Sequence, residues 1–336
     1  MKIAILGSGW YGCHIANFLR HKDVEFIIID KNSEIFDGSS RRGQNRLHLG
    51  FHYPRCAATI KQTIYGFDKF INQYGFLTKD INENLYLISK NDSYLNYDLY
   101  KNIMITSGLE FLEVTNQYKD IFTNYSGIIR VQEKQILTEK AKNYFAEQFS
   151  SHFQGNTYVD KSILKQLRKD FDLIIDCTWG SVSKHLYNDL YFEPCIYFYY
   201  REKNSHNRAI TVMDGPFFSI YPYDKDIVTV TSVKETPIAR CKSNEESVEK
   251  IKNFSKENIK KKQVLFEDEL LKNYPGFKSD YEYVSHEFSI KSKIESDIAS
   301  RYSFINQDGN LFSIFSGKID SIYSVEKQLL SLLKSF

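Results

Sequence analysis

The first thirty residues constrain the fold more than any other stretch of the chain. Residues 2–6, KIAIL, have the character of a short buried strand, and GSGWYG follows with Gly7, Gly9 and Gly12 at the G-x-G-x-x-G spacing. The first glycine permits a tight turn, the second lets a pyrophosphate approach the backbone, and the third lets a helix pack on the strand. Residues 13–20 are helix-like, with Ile15, Ala16 and Leu19 spaced for one inward face. The run VEFIIID then reads as a second buried strand ending in Asp30, eighteen residues past Gly12, where a carboxylate can accept both hydroxyls of an adenosine ribose. Strand, glycines, helix, strand and acid in that order describe a nucleotide-binding Rossmann unit; an ordinary βαβ unit whose Asp30 caps a loop is the plainer alternative. The acid favours an unphosphorylated ribose, as in NAD or FAD.

An NAD-type domain would soon continue into a further helix and strand. Instead, residues 31–55 read as a long polar loop, and SRRGQNRLHLGFHYPRC at 40–56 carries four arginines and two histidines. Such a run resembles a nucleic-acid patch, but 44 Lys and Arg nearly cancel 42 Asp and Glu, so no global field marks a nucleic-acid or membrane-surface protein. The cations therefore need a local partner. Arg41, Arg42 or Arg46 could neutralise a pyrophosphate, whereas Arg55, after Pro54, is expected to pair with an acid elsewhere. His48 and His52 would share a face of an extended segment, and no third ligand stands near them, so no metal is expected. Each is read either as a hydrogen bond that locks the loop or as a contact to cofactor or substrate. Five widely spaced cysteines without a CxxC pair argue for free thiols. No apolar run reaches the ~18 residues of a membrane helix, and the N-terminus lacks a secretory h-region, so a cytoplasmic protein is expected.

Two later segments return to the strand-to-helix pattern. DLIIDCTWGS (172–181) is an apolar strand ending in Cys-Thr-Trp-Gly, and residues 311–315 form a strand running into Ser316-Gly317-Lys318 and a helix with Leu329, Leu330, Leu332 and Leu333 facing the core. A glycine at such a junction is a contact point for an anion or dipole. Together these motifs resemble the flavoprotein oxidoreductases of the D-amino-acid oxidase and glycine oxidase superfamily, almost end to end. The resemblance implies FAD as cofactor, a glutathione-reductase-type Rossmann-like domain, and an inserted antiparallel sheet with helices for the substrate. It assigns the pyrophosphate to Gly7, Gly9 and Gly12, and the ribose to Asp30. A Ser-containing loop around the pyrophosphate and flavin matches Ser39 or Ser40 with Asn45 and Gly50. Residues 127–145 lead toward an adenine contact near Val159. The family's Ala-Thr-Gly turn is similar to Cys177-Thr178-Trp179-Gly180, with Trp179 as an insertion, and its closing turn is similar to Ser316-Gly317-Lys318-Ile319. Trp10, Tyr11, Lys31, Arg42, Arg46 and Leu47 complete the expected cofactor set.

On this reading the FAD domain is discontinuous, comprising 1–75, 127–185 and 286–336, and the substrate domain comprises 76–126 and 186–285. Within residues 191–236, four segments read as strands rich in Tyr, Phe, Val and Thr. Residues 243–276 read as helix with a charged outer face that includes Lys260, Lys261 and Lys262. Tyr221 and Tyr223 flank Pro222 and point to one face, where they either line the substrate cavity or pack the sheet. The Gly-Arg-Pro-like segment of amino-acid oxidases is missing from residues 285–305, where Lys291, Lys293 and Arg301 could still meet an anion. The implied reaction is hydride transfer from a carbon bearing an amine or hydroxyl to flavin N5, with His48, His52, Tyr221 and Tyr223 as catalytic candidates and a small, possibly sugar-like or amino-acid substrate. Two alternatives are a flavoenzyme resembling UDP-galactopyranose mutase, which acts without net oxidation, and a non-catalytic nucleotide-binding protein.

Overall fold

The computed structural model describes residues 1–204, 206–295, 303–316 and 318–333, so the expected contacts of Gly317 and Arg301 lie outside the described residues. Strand Lys2–Leu6, buried from Ile3 onward, pairs in parallel with Glu25–Ile29 on one side and Leu173–Asp176 on the other. Strands covered on both faces need apolar side chains on both, so these segments read as unbroken apolar runs. Phe153–Gln154 closes one edge of the sheet, and Leu311–Phe315 extends the other before Phe304–Asp308 adds an antiparallel strand.

The helix Trp10–Leu19 packs directly on this sheet. A Cβ on Gly12 would lie 1.9 Å from the Gly7 carbonyl oxygen, so only glycine allows the helix to start so close to the strand end. Beyond that helix, Ala57–Tyr74, Thr138–Phe149 and Ile322–Leu333 contribute to the same core. There the Trp10 ring meets Phe36 and Phe70 at 5.2 Å between centres and Phe145 at 5.5 Å. The opposite face of the sheet is covered by Lys161–Asp170 through Leu164 and Leu167.

A second sheet has eight strands, in the order Tyr281–Ile294, Leu190–Glu202, Ile227–Ser232, Phe218–Asp224, Arg208–Met213, Glu83–Ser89, Tyr125–Arg130 and Leu112–Glu113. Its pairings are antiparallel except that Glu83–Ser89 runs parallel to Arg208–Met213. The expected domain divisions at 127 and 286 fall inside two of these strands. A small antiparallel sheet of Arg46–Leu47, Lys134–Ile136 and Thr78–Asp80 ties the cationic loop to the rest of the molecule.

The expected helix over 243–276 is two main helices, Asn244–Lys252 and Lys256–Leu271, followed by the short turn Phe277–Asp280. The break is chemical: Ser243 accepts the N–H of Glu246 at 3.1 Å, and Ser255 accepts that of Asn258 at 3.2 Å, so each helix carries its own N-cap. Phe266 of the second helix packs edge-on against Phe198 at 4.9 Å, holding it to the back of the large sheet. Among the described residues, no helix is long and apolar enough to cross a membrane.

Candidate functional site

Two adjoining cavities run between the parallel sheet and the large sheet. The first, about 430 Å³, lies at the carboxyl ends of Lys2–Leu6 and Glu25–Ile29 and is lined by Gly7, Gly9, Asp30, Lys31, Val159 and Thr178, among others. The second, about 530 Å³, is lined by Asn45, Arg46, His48, His52, Lys291 and Lys318, among others. Trp10, Tyr11, Ser39, Ser40, Arg42 and Trp179 line both, so the two form one trough.

At the first end, Asp30 is fixed by short bonds: Oδ2 accepts the Ser8 N–H at 2.7 Å and the Ser8 hydroxyl at 2.8 Å, and Oδ1 accepts the Asn32 N–H at 2.8 Å. A carboxylate offers about four lone-pair sites, so both oxygens can still receive ribose hydroxyls. Gly9 opens the helix in an extended conformation, and a Cβ there would sit 2.6 Å from Ser40 Oγ. That gap beside the N–H groups of the helix start could receive a phosphate. Ser40 completes it by accepting the Trp10 N–H at 3.0 Å.

The cationic loop is folded back on itself. Arg42 donates to the Asp37 carbonyl at 2.9 Å and Arg41 pairs with Glu139 at 2.8 Å, so neither guanidinium is reserved for phosphate, although Arg42 still lines the trough. Arg55 meets Asp214 at 2.6 Å, an acid from elsewhere as expected. On the neighbouring turn, Asp176 orders Thr178 by accepting its N–H at 2.7 Å and its hydroxyl at 2.6 Å. Tyr11 donates to Ser316 Oγ at 2.6 Å and also contacts the Lys318 carbonyl, which pins the closing turn to the first helix.

The second end holds a buried polar cluster. The Arg46 guanidinium lies 4.1 Å from the centre of the Tyr221 ring and donates to the Tyr86 hydroxyl at 3.1 Å, leaving Nε and Nη2 buried without a partner. The His48 and His52 ring centres are 5.2 Å apart, and both rings sit beside Tyr53. Burial, with the Lys318 and Arg46 charges, pushes the His48 imidazole well below the usual range; burial, His48 and the same cations do so for His52. On the sheet side, Lys293 pairs with Glu193 at 2.6 Å. Burial opposes charge on Lys291, but Tyr197, Cys195 and Glu193 hold its ammonium above the usual lysine range.

Several expected contacts do not reach the trough. Tyr221 is completely buried and donates to the Lys134 carbonyl at 3.1 Å, and Tyr223 packs against Tyr199 at 4.9 Å, so neither lines the cavity. Leu47 is buried in the core. Gly180 has a packing cause instead, because a Cβ there would meet Leu190 at 2.4 Å. Gly12 acts through the close approach described above, and the Trp10 ring packs in the core although the residue borders both cavities. Glu133, Tyr86, Asp214 and Tyr197 were not foreseen. They carry no motif; a lone acid in the short run VQEKQI was the one visible sign of Glu133.

The residues fit a flavin dinucleotide: an acid for the ribose, a glycine cradle for the phosphates, and orphaned donors on Trp179 Nε1 and Arg46 in the wider end. The architecture is similar to that of solved FAD-binding oxidoreductases. The structure matches glycine oxidase from Geobacillus kaustophilus with a TM-score of 0.65 at 13% identity, covering 96% of this chain and 90% of that one. It matches dithionite-reduced L-α-glycerophosphate oxidase from Mycoplasma pneumoniae, solved with FAD bound, with a TM-score of 0.72 at 14% identity, covering 99% and 94%. No family model matches the sequence. Curated relatives do: the FAD-dependent monooxygenase FPY4 of Fusarium mangiferae is 32% identical over 339 residues, covering 99% of this chain and 91% of the relative. The FAD-dependent monooxygenase kojA of Aspergillus flavus is 22% identical over 373 residues, covering 99% and 86%. The chain belongs to this family of FAD-dependent oxidoreductases, and FAD is its cofactor.

Proposed function

We propose that the enzyme oxidises a small organic substrate at a carbon bearing an amine or a hydroxyl, with hydride passing to flavin N5 and a proton to a histidine of the pair at the wide end of the trough. The observation that carries this reading is the pair itself: two buried imidazoles, kept neutral by burial and nearby cations, line the cavity. A neutral imidazole can accept a proton from a hydroxyl or an ammonium at neutral pH. Bound FAD supplies the hydride acceptor. Gly9, Ser40 and Asp30 hold its dinucleotide half, while Lys318 and Arg46 bring positive charge to the other end. The parallel-sheet unit thus holds the cofactor, and the large sheet closes over the substrate.

Membership among FAD-dependent oxidoreductases supports net oxidation over a mutase or a silent nucleotide-binding protein. The names of the curated relatives favour a second reading, in which dioxygen supplies an oxygen atom to the substrate. One experiment separates the two. Under anaerobic conditions, amines, amino acids, hydroxy acids and sugar derivatives are mixed singly with the yellow enzyme. Bleaching of the flavin by substrate alone is the expected result. Bleaching that needs a reduced nicotinamide, followed by heavy-oxygen label from dioxygen in the product, would replace the first reading with the second.

A further inference from the structure

A buried carboxylate stands behind the histidine pair. Glu133 directly precedes the strand Lys134–Ile136, and its side chain has no exposed surface. Its Oε1 accepts the Leu49 N–H at 2.9 Å and lies 3.5 Å from His48 Nδ1, while Oε2 accepts the Tyr86 hydroxyl at 2.7 Å. At the other edge of the His48 ring, Lys318 Nζ stands 3.2 Å from Nε2. An ammonium has protons to give and no lone pair to receive one. His48 Nε2 must then be the acceptor, and the single proton of the neutral ring must sit on Nδ1, facing Glu133.

The neighbours explain why the ring stays neutral. Arg46 from the small sheet, Lys318 from the closing turn, Tyr86 from the large sheet, Tyr53 from the loop and Glu133 all face the pair. The two cations disfavour a second proton on His48, and Glu133 is committed to Leu49 and Tyr86. Nδ1 is buried without a hydrogen-bond partner in both rings, with Glu133 Oε1 facing that of His48 at 3.5 Å, but His48 meets Lys318 through Nε2 whereas no hydrogen bond to the His52 ring occurs among the described residues. One imidazole is engaged at Nε2 by Lys318, and the other has both ring nitrogens left.

We propose that Glu133 is a positioning residue that holds His48 as the Nδ1–H tautomer, so that His48 anchors Lys318 in the cavity and His52 takes the proton of the substrate. This assignment rests on the reaction proposed above. In that reaction the C–H bond of the substrate breaks and its electron pair leaves as hydride to the bound flavin, which is reduced. The N–H or O–H bond also breaks, its electron pair completes the C=N or C=O bond, and the proton goes to His52.

The test is nuclear magnetic resonance of the holoenzyme with isotope-labelled histidine ring nitrogens, using His48→Asn and His52→Asn to assign the signals. The expected result is a neutral His48 across neutral pH with its proton on Nδ1. Glu133→Ala should mix the two tautomers, and Glu133→Gln, whose amide oxygen can still accept at the same place, should restore the preference. A proton on Nε2 of His48 in the unmodified enzyme, a His48 that titrates like free imidazole, or a tautomer indifferent to Glu133→Ala would each overturn the proposal. Should Glu133→Ala fail to fold, the unmodified enzyme still decides it. The expected tautomer in a protein whose flavin no amine or alcohol bleaches overturns the reaction and leaves the position of Glu133 standing.

Discussion

His48 and His52 are ordinary residue types whose behaviour is set by where the fold puts them. In the unfolded chain each titrates near ~6.5, whereas in the folded protein burial and the neighbouring cations keep both imidazoles well below that. As pH falls through the unfolded value, the unfolded chain takes up protons that the native state refuses, so stability is lost on the acid side. Asp320 works in the opposite sense: burial pushes its carboxyl up to about 6, and the native state tolerates its charge least above that pH. Comparison with the double variant His48→Asn, His52→Asn therefore isolates the histidines. From about pH 7.5 to about pH 5.5 they should cost the unmodified protein about 2 to 3 kcal/mol, because each proton bound by the unfolded chain alone changes stability by roughly 1.4 kcal/mol per pH step of one. Urea unfolding at the two pH values measures this, and an equal loss in the two proteins would mean that the pair is not held neutral. At this scale the sequence was legible wherever the backbone has few solutions: the glycines of the turn and the acid at a strand end sit as their spacing implies. It was not legible for Gly180, Leu47 and Tyr221, because Leu190, the aromatic core and Arg46, which decide those positions, come from distant parts of the chain.

Elements were legible when their cause was local. The buried strands Lys2–Leu6, Glu25–Ile29, Leu173–Asp176 and Leu311–Phe315 follow from apolar runs, and the four strands of the substrate half follow from β-branched and aromatic content. The break at residues 253–255 was missed although its signal was present, because a serine three residues before the N–H it caps competes with a helical period that continues on both sides. Phe254 shows what the break accomplishes: it turns inward to meet Phe288 at 5.8 Å, so the second helix can lie along the sheet. Ser255→Ala removes the acceptor of the Asn258 N–H and should cost about 1 kcal/mol. In a chain of this size that corresponds to a fall of roughly 1.5 °C in melting temperature. A calorimetric scan with FAD bound would show it; an unchanged melting temperature would mean that Ser255 contributes no cap in solution.

At the scale of the molecule, the order of segments made the architecture readable and the long-range pairings did not. Nothing local announces that Glu83–Ser89 will run parallel to Arg208–Met213, since the match depends on two faces meeting after more than a hundred intervening residues. Those pairings place Thr211, Met213 and Lys291 on the wall of the wider cavity, next to the one lined by Gly9, Asp30 and Thr178. The trough is thus walled by both sheets, and a cofactor filling it touches both while having no comparable site on the unfolded chain. A ligand that binds only the native state stabilises it by mass action, by about 2.7 kcal/mol at a hundredfold excess over its dissociation constant. Removal of FAD should therefore lower the melting temperature by about 4 °C or more, and added FAD should restore it in a concentration-dependent way. FMN, which lacks the adenosine that Asp30 would hold, should restore less. Equal rescue by the two flavins would show that the Asp30 end contributes little to retention, and an unchanged melting temperature without FAD would mean that the two sheets close without it.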